Sequence, residues 1–131
     1  MGNILISLCP CGKDKKFEHC CGRFLSGKAF AKTPEQLMRS RYSAYSLGYY
    51  GEYLLNTWHP AMVGNLTAES LSEKSCEWLK LEILDKNQKG NEGAVEFKAY
   101  YLGPDNNKEV MHEKSSFQRI SGKWLYVGAI Q

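Results

Sequence analysis

Four cysteines near the start of the chain have the residue type and spacing to bind a metal ion. One residue separates Cys9 from Cys11, and Cys20 and Cys21 follow as a pair after eight further residues. Four thiolates are the ligand set that zinc takes, with tetrahedral geometry, in structural sites. Disulfide bonds are the less favoured alternative, because nothing marks a secreted protein and cytosolic thiols stay reduced. We therefore predict one metal site at these four residues.

The same spacing predicts a closed, structural site. With four protein ligands, the ion has no open position for a substrate or an activated water molecule. Gly12 and Gly22 each follow a cysteine and predict left-handed turns that aim backbone amides at sulfur. His19 is a competing ligand, although a solvated histidine is the simpler interpretation. About twenty residues cannot bury enough surface to fold alone, so the metal must supply the stability of this segment.

The distribution of charge argues against nucleic acid as a partner. The chain has 131 residues and a formal net charge of +3, with 43% hydrophobic and 24% charged residues. The whole excess lies in residues 1–30, because residues 31–131 hold twelve basic and twelve acidic groups. Four thiolates on a divalent ion would offset most of this excess, which leaves no basic stripe. No apolar run approaches the roughly 20 residues that cross a bilayer, and the opening segment lacks a secretory signal, so we expect a cytoplasmic protein.

The remaining residues predict an α+β domain. A capping box from Thr33 to Gln36 starts a helix that Gly48 ends, and two shorter helices follow. From Glu77 onward apolar and polar residues alternate with period two, and turn residues divide this stretch into four strands. Helices followed by an antiparallel meander indicate that the helices cover one face of a sheet.

Two charged residues fall on apolar faces that should meet. At 100° per residue, Arg41 lies in the middle of an apolar stripe of the first helix, with Tyr45 one turn later. Glu113 shares the inner face of the third strand with Phe117. Because an unpaired buried charge is costly, we predict an Arg41–Glu113 ion pair with an N–O distance of at most about 4 Å. The alternative is a pocket, lined by Arg41, Tyr45 and Glu113, that binds a small ligand or carries out acid–base chemistry.

Evidence for catalysis in the sequence is weak. His112 and Glu113 lack the second histidine of a His-Glu-x-x-His metalloprotease, and their segment reads as a strand. No nucleophile–base pair, phosphate-binding loop or second carboxylate stands out near the predicted pocket. We therefore favour a binding protein over an enzyme.

Four segments of the chain carry a family resemblance. The cysteine segment, Cys9-Pro-Cys-Gly…His-Cys-Cys-Gly, resembles the SEC-C motif named for the C-terminal zinc module of the SecA translocation ATPase. The other three resemble the uncharacterised YchJ family: Leu37-Met-Arg-Ser-Arg-Tyr-Ser-Ala-Tyr, Thr57-Trp-His-Pro and His112-Glu-Lys-Ser-Ser-Phe. The resemblance covers nearly the whole chain. It implies a SEC-C knuckle and then a cone of the nuclear-transport-factor-2-like superfold, in which about three helices pack on a curved four-stranded antiparallel sheet.

The segment at residues 26–32 gives the boundary between a metal-binding knuckle at residues 1–25 and a cone at residues 33–131. The resemblance also implies a cofactor and partners. Zinc is the implied metal, and iron is the alternative, since some SEC-C modules have been proposed to carry it. SEC-C modules elsewhere contact the export chaperone SecB or the ribosome. The leading hypothesis is thus an interaction protein whose zinc knuckle docks a protein partner, and its rival is a small-molecule-binding or enzymatic cone with a structural zinc appendage.

Overall fold

The computed structural model describes residues 8–130, which form a short cysteine-rich segment followed by an α+β domain. Residues 1–7, on which the predicted absence of a secretory signal rests, and Gln131 lie outside the described residues. The helical elements are a 3-10 turn at Phe17–His19, α1 at Cys21–Leu25, α2 at Pro34–Leu47, α3 at Gly51–Asn56 and α4 at Ala68–Leu71. Within residues 8–130, no helix has the length and apolar character needed to cross a membrane.

Four strands pair in chain order as an antiparallel meander. They are β1 at Glu77–Lys89, β2 at Glu92–Leu102, β3 at Lys108–Ile120 and β4 at Lys123–Ala129. This arrangement confirms the α+β class and the four-stranded antiparallel sheet, while the curved cone stays a prediction. The first turn is tighter than the sequence suggests, because pairing continues until Lys89 faces Glu92. Gly90 permits this two-residue turn, since its φ of +62° lies in the left-handed region.

Helix α2 begins and ends where the sequence predicts. The Thr33 hydroxyl accepts a hydrogen bond from the Gln36 backbone N–H at 3.1 Å, and Gly48 ends the helix with a φ of +77°. The second half of the capping box differs from the expected one. The Gln36 side chain accepts from the Lys32 N–H at 2.8 Å, one residue earlier than in the standard motif. The first bond satisfies a backbone donor that the first helical turn leaves free, and the second binds the residue before the N-cap to the same turn.

The hydrophobic core lies between α2 and one face of the sheet. Leu37, which is 1% exposed, and Tyr42 are the buried core residues that α2 contributes. The strands contribute Leu81, Val95, Phe97, Ala99, Phe117 and Trp124. Burial of one large apolar side chain stabilises a fold by about 1.5–3 kcal/mol. This layer therefore fixes the position of α2 over the sheet.

The segment after α3 is joined to β4. The Tyr126 N–H donates to the Thr57 carbonyl at 2.7 Å, and the His59 N–H donates to the Tyr126 carbonyl at 2.8 Å. These bonds form a parallel bridge between Trp58 and Tyr126, whose rings meet edge to face with centroids 5.2 Å apart. The bridge brings both aromatic rings to the space beneath α2.

Candidate functional site

The sulfur atoms of the four cysteines converge. The Sγ atoms of Cys9, Cys11, Cys20 and Cys21 all lie within 4.8 Å of one another, and all four residues are buried. The Cys11 and Cys20 sulfurs are 3.7 Å apart. Four sulfurs placed about 2.3 Å from a tetrahedral zinc ion lie about 3.8 Å from each other. The donor set and its spacing therefore fit a zinc ion without a change of backbone path.

Short local contacts bring the two cysteine pairs together. The Cys9 N–H donates to the Lys15 carbonyl at 2.8 Å, which closes the loop between the pairs. Gly12 has the predicted left-handed conformation, with a φ of +94°. The same prediction is wrong for Gly22. Glycine is needed at this position because Phe17 approaches its backbone closely. A Cβ atom at Gly22 would meet the Phe17 carbonyl oxygen at 2.8 Å.

Crowding of the buried sulfurs disfavours ionisation of the Cys20 and Cys21 thiols in the absence of a cation. Hydrogen bonds from Cys11 and Cys21 lower the pKa of the Cys9 thiol, so a single thiolate is favoured there. Hydrogen bonds with Cys11 and Cys9 raise the pKa of Cys21. Burial, followed by the negative charge of Cys11 and Cys9, raises the pKa of Cys20 to about 11. A divalent ion would remove this conflict, because metal binding replaces the thiol protons.

The cysteine segment is clamped onto one face of α2. The Arg39 Nη1 donates to the Cys11 carbonyl at 2.7 Å, and the Ser43 hydroxyl lies 3.5 Å from the Cys9 sulfur. Glu35 orients Arg39 through a bond of 2.8 Å between its Oε2 and the Arg39 Nε. Winding α2 at 100° per residue places Arg39 at the edge of the apolar stripe, towards solvent. It is half-buried instead, because the cysteine segment covers this face.

The loop between the cysteine pairs presents positive charge to solvent. Lys13, Lys15 and Lys16 are all exposed. Within residues 8–130, none of the three ammonium groups lies within 4 Å of a carboxylate oxygen. His19 is also exposed and is not part of the cysteine cluster. The cysteine-rich end of the molecule therefore presents these three lysines to solvent.

A second site lies on the opposite side of α2. A cavity of about 280 Å³ between α2 and the sheet is lined by Arg41, Tyr45 and Glu113 together with apolar side chains. The three residues singled out from the sequence thus border one space. Ser115 and Tyr126 also line it, and the sequence did not single them out as site residues. The tight edge-to-face contact of Tyr126 with Trp58 depends on the loop after α3, which periodicity does not reveal.

The predicted ion pair between Arg41 and Glu113 is wrong, because none of their nitrogen and oxygen atoms lies within 4 Å. The Arg41 Nη1 instead donates to the Leu54 carbonyl and to the Thr57 hydroxyl, each at 2.7 Å. The C-terminal turn of α3 supplies both acceptors, and a helix C-terminus favours a cation. The guanidinium carbon also lies 4.8 Å from the ring centroids of Trp58 and Tyr126. Burial lowers the pKa of Arg41, and the nearby Tyr45 hydroxyl opposes this change without forming a well-aligned hydrogen bond.

Glu113 has its own partners across the cavity. Its Oε2 accepts from the Ser115 hydroxyl at 2.5 Å and from the Tyr126 hydroxyl at 3.1 Å. Burial and the adjacent Glu113 carboxylate raise the pKa of Tyr126 to about 12. Burial also raises the pKa of Tyr45, which Arg41 counteracts. Both tyrosines therefore remain protonated donors at neutral pH.

A larger groove was not foreseen from the sequence. It has a volume of about 580 Å³ and lies between the linker before α2, the start of α3 and β4. Phe30 and Tyr49 border it and are 59% and 89% exposed. Tyr49 has a φ of +72°, which is unusual for an aromatic residue. The only sequence signal for this conformation is the preceding Gly48, which ends α2.

Comparison with known proteins gives the family. Residues 33–129 match the family model described as YchJ, middle NTF2-like domain. A UPF0225 protein of Streptomyces coelicolor is 42% identical over 121 residues, which cover 90% of this chain and 90% of the relative. A UPF0225 protein of Photorhabdus laumondii is 36% identical over 97% of this chain and 82% of the relative.

Two solved structures share the fold. The solution structure of a SEC-C motif containing protein from Rhodopseudomonas palustris superposes with a TM-score of 0.84 at 31% identity, covering 93% of this chain and 96% of that chain. The crystal structure of a SEC-C motif containing protein from Psychrobacter arcticus gives 0.81 at 29% identity, covering 93% and 81%. The fold and the cysteine cluster thus define an NTF2-like α+β protein with an N-terminal SEC-C-type segment. The chain belongs to the YchJ or UPF0225 family.

Proposed function

We propose that this chain is a metal-binding interaction protein in which Cys9, Cys11, Cys20 and Cys21 hold one structural zinc ion. The observation that carries this proposal is the convergence of four buried sulfurs within 4.8 Å. Four thiolates suit zinc or iron, and zinc is favoured because it needs only a closed tetrahedral site. The ion would cross-link residues 8–25, which are the described part of the knuckle, and so fix the loop that carries Lys13, Lys15 and Lys16.

The knuckle is proposed to dock a cytoplasmic protein partner through this loop. Lys13, Lys15 and Lys16 are exposed and have no carboxylate within 4 Å among residues 8–130, so they remain available to an acidic surface. The SEC-C likeness suggests protein export or the ribosome as the setting. We also propose the division into a knuckle at residues 1–25 and a cone at residues 33–131. The family match over residues 33–129 supports the second boundary.

Metal content is tested most directly on the unaltered protein. Native mass spectrometry with elemental analysis is expected to find one zinc ion per chain and no second metal ion. A chain that carries iron in the same stoichiometry would support the cysteine site and refute zinc. A chain purified without added chelator that carries no metal would contradict the proposal.

Docking is tested by reversing the charge of the loop. We expect the triple variant Lys13→Glu, Lys15→Glu and Lys16→Glu to retain its metal and to lose partners that cross-link to the wild-type knuckle. Charge reversal acts on association because complementary potentials steer and align partners. A matched control reverses three exposed lysines of the sheet, namely Lys89, Lys108 and Lys114. Equal loss of cross-linking in both variants would contradict docking through the loop.

A second candidate function is the binding of a small molecule by the cone. The cavity beneath α2 favours it, because this space of about 280 Å³ combines an apolar wall with Arg41, Tyr45 and Glu113. Pockets of this kind typically hold small ligands in a protein interior. We favour binding over catalysis, since the Ser115 hydroxyl that donates to the Glu113 carboxylate is 0% exposed and so is poorly placed to attack a substrate.

A further inference from the structure

The cavity beneath α2 has a chemistry that selects its ligand. We propose that it binds a small organic monocarboxylate with an apolar body, whose carboxylate pairs with Arg41. This inference rests on the proposal that the cone binds a small molecule. It adds the class of ligand and the residue that recognises it.

Arg41 is a buried cation without a counter-ion. It is 3% exposed, and no carboxylate oxygen of residues 8–130 lies within 4 Å of its guanidinium nitrogens. Both of its hydrogen bonds come from Nη1, to the Leu54 carbonyl and the Thr57 hydroxyl. The Tyr45 hydroxyl lies near the guanidinium, but within the described residues neither Nε nor Nη2 makes a well-aligned hydrogen bond. Because a buried charge is strongly destabilising unless it is paired, a ligand carboxylate would complete this site.

Guanidinium geometry favours a carboxylate as the missing partner. The fork of N–H groups in arginine matches the two oxygens of a carboxylate, and such paired hydrogen bonds are among the strongest in proteins. The rings of Trp58 and Tyr126 each lie 4.8 Å from the guanidinium carbon and limit its movement. Arg41 is thus held in place before a ligand arrives, which reduces the entropic cost of binding.

Glu113 limits the ligand to a single negative charge. Its Oε2 is engaged by Ser115 and Tyr126, whereas Oε1 accepts no hydrogen bond from residues 8–130. A second carboxylate or a phosphate dianion would be repelled by this side chain. An amine or hydroxyl group beside the ligand carboxylate would instead find an acceptor there.

The walls and the size of the cavity call for an apolar body. Its apolar lining residues include Trp58, Trp78, Phe97 and Met111. An inorganic anion would leave these apolar side chains in contact with water, which is unfavourable. A volume of about 280 Å³ accommodates a ligand of roughly ten non-hydrogen atoms, if a water molecule in liquid takes about 30 Å³. Ser75 is exposed and Met111 is 36% exposed, so the cavity reaches solvent on that side.

The first test uses the unaltered protein and two matched probes. Titration of each probe is followed through the NMR signals of α2 and β3. The dissociation constant of 3-phenylpropionate should be at least tenfold lower than that of the neutral 3-phenylpropionamide, because only the acid forms a charge-assisted pair. Equal affinity for the acid and the amide would overturn the carboxylate class and leave small-molecule binding intact. Binding of neither probe at 10 mM would overturn both proposals.

The second test assigns the carboxylate to Arg41. Arg41→Met should weaken binding of 3-phenylpropionate about tenfold or more and leave binding of the amide unchanged. This variant removes the 2.7 Å donor of the Leu54 carbonyl, and the Thr57 hydroxyl does not replace it, because it donates its single proton to the Tyr53 carbonyl at 2.7 Å. Circular dichroism must therefore show a folded variant before its affinity is compared. Arg119→Met is the matched control, since Arg119 contacts Asn91 and Gly90 outside the cavity. Unchanged affinity for the acid in a folded Arg41→Met protein would overturn the assignment.

A third measurement does not depend on any Arg41 variant. L-Phenylalanine should bind more tightly than 3-phenylpropionate to the wild type, because its ammonium group can reach Glu113. Glu113→Gln should remove this preference, whereas Glu96→Gln, on the neighbouring strand, should retain it. A preference that is absent in the wild type, or that survives Glu113→Gln, would contradict the role given to Glu113.

Discussion

Cys11→Ser is expected to abolish metal binding and to unfold the knuckle while the four-stranded sheet persists. Cys11 is 0% exposed and its sulfur lies 3.7 Å from that of Cys20, so serine removes a ligand at the centre of the cluster. Structural zinc contributes on the order of 10 kcal/mol or more to the folding of small zinc-dependent units at neutral pH. The sheet has a separate core that includes Val95 and Phe117, both nearly inaccessible. Two-dimensional NMR should show loss of dispersion for residues 8–25 alone.

The fifth cysteine provides a matched control for this result. Cys76 is half-buried and lies outside the cluster, so Cys76→Ser should retain the metal and the knuckle signals. Metal retained by Cys11→Ser, or lost equally in Cys76→Ser, would refute the four-cysteine site. Loss of the sheet signals after Cys11→Ser would show that the knuckle and the sheet fold as one unit.

Gly51→Ala should be the most damaging glycine-to-alanine substitution among the described glycines. A Cβ atom at this position would lie 1.8 Å from the Ala68 carbonyl oxygen and 2.4 Å from the Ser72 hydroxyl oxygen. The nearest obstacle is backbone, so helices α3 and α4 must separate. Overpacking of this kind costs typically 1–3 kcal/mol and occasionally more, and we expect a loss of about 3 kcal/mol in the free energy of unfolding. Urea denaturation followed by circular dichroism measures it.

This substitution should also disturb the cavity. Helix α3 carries the Leu54 carbonyl that accepts a hydrogen bond from Arg41. Displacement of α3 should therefore weaken the binding of any ligand that pairs with the guanidinium. Gly128→Ala is the control, because a Cβ atom there meets nothing within 4 Å. The free energy of unfolding of that control should stay within about 0.5 kcal/mol of the wild type. Similar stability of the two variants would show that α3 and α4 are not in close contact in solution.

Local signals in the sequence were sufficient for α2 and for the four strands, but not for α1 or for the tight turn between β1 and β2. The capping residue Thr33 and the terminating Gly48 define α2 because both act through the backbone of their own helix. Alternation from Glu77 onward predicts the strands, since each side chain alternates between two faces. The cysteine spacing likewise brings the four sulfurs together, because the intervening loop closes on itself through the Cys9–Lys15 bond.

The partners of charged side chains could not be predicted in the same way. Placing Arg41 in the buried stripe of α2 was correct, but its acceptors are the Leu54 carbonyl and the Thr57 hydroxyl. A backbone carbonyl has no residue type, so no pattern in the sequence marks it as an acceptor. Arg39 was misplaced for a related reason, since its burial depends on how the knuckle packs on α2. The demand for glycine at position 51 is a further tertiary effect, set by the approach of α4.

Helix α2 contributes residues to two sites, which lie on its opposite sides. Residues 39 and 43 hold the knuckle, whereas residues 41 and 45 border the cavity, and positions two apart on a helix point in roughly opposite directions. A change in the tilt or rotation of this helix must therefore alter both sites together. Thermodynamic linkage then requires that, if metal loading changes the affinity of the cavity by some factor, an occupant of the cavity changes the affinity for metal by the same factor. Such coupling would make the occupancy of the cavity depend on the metal supply.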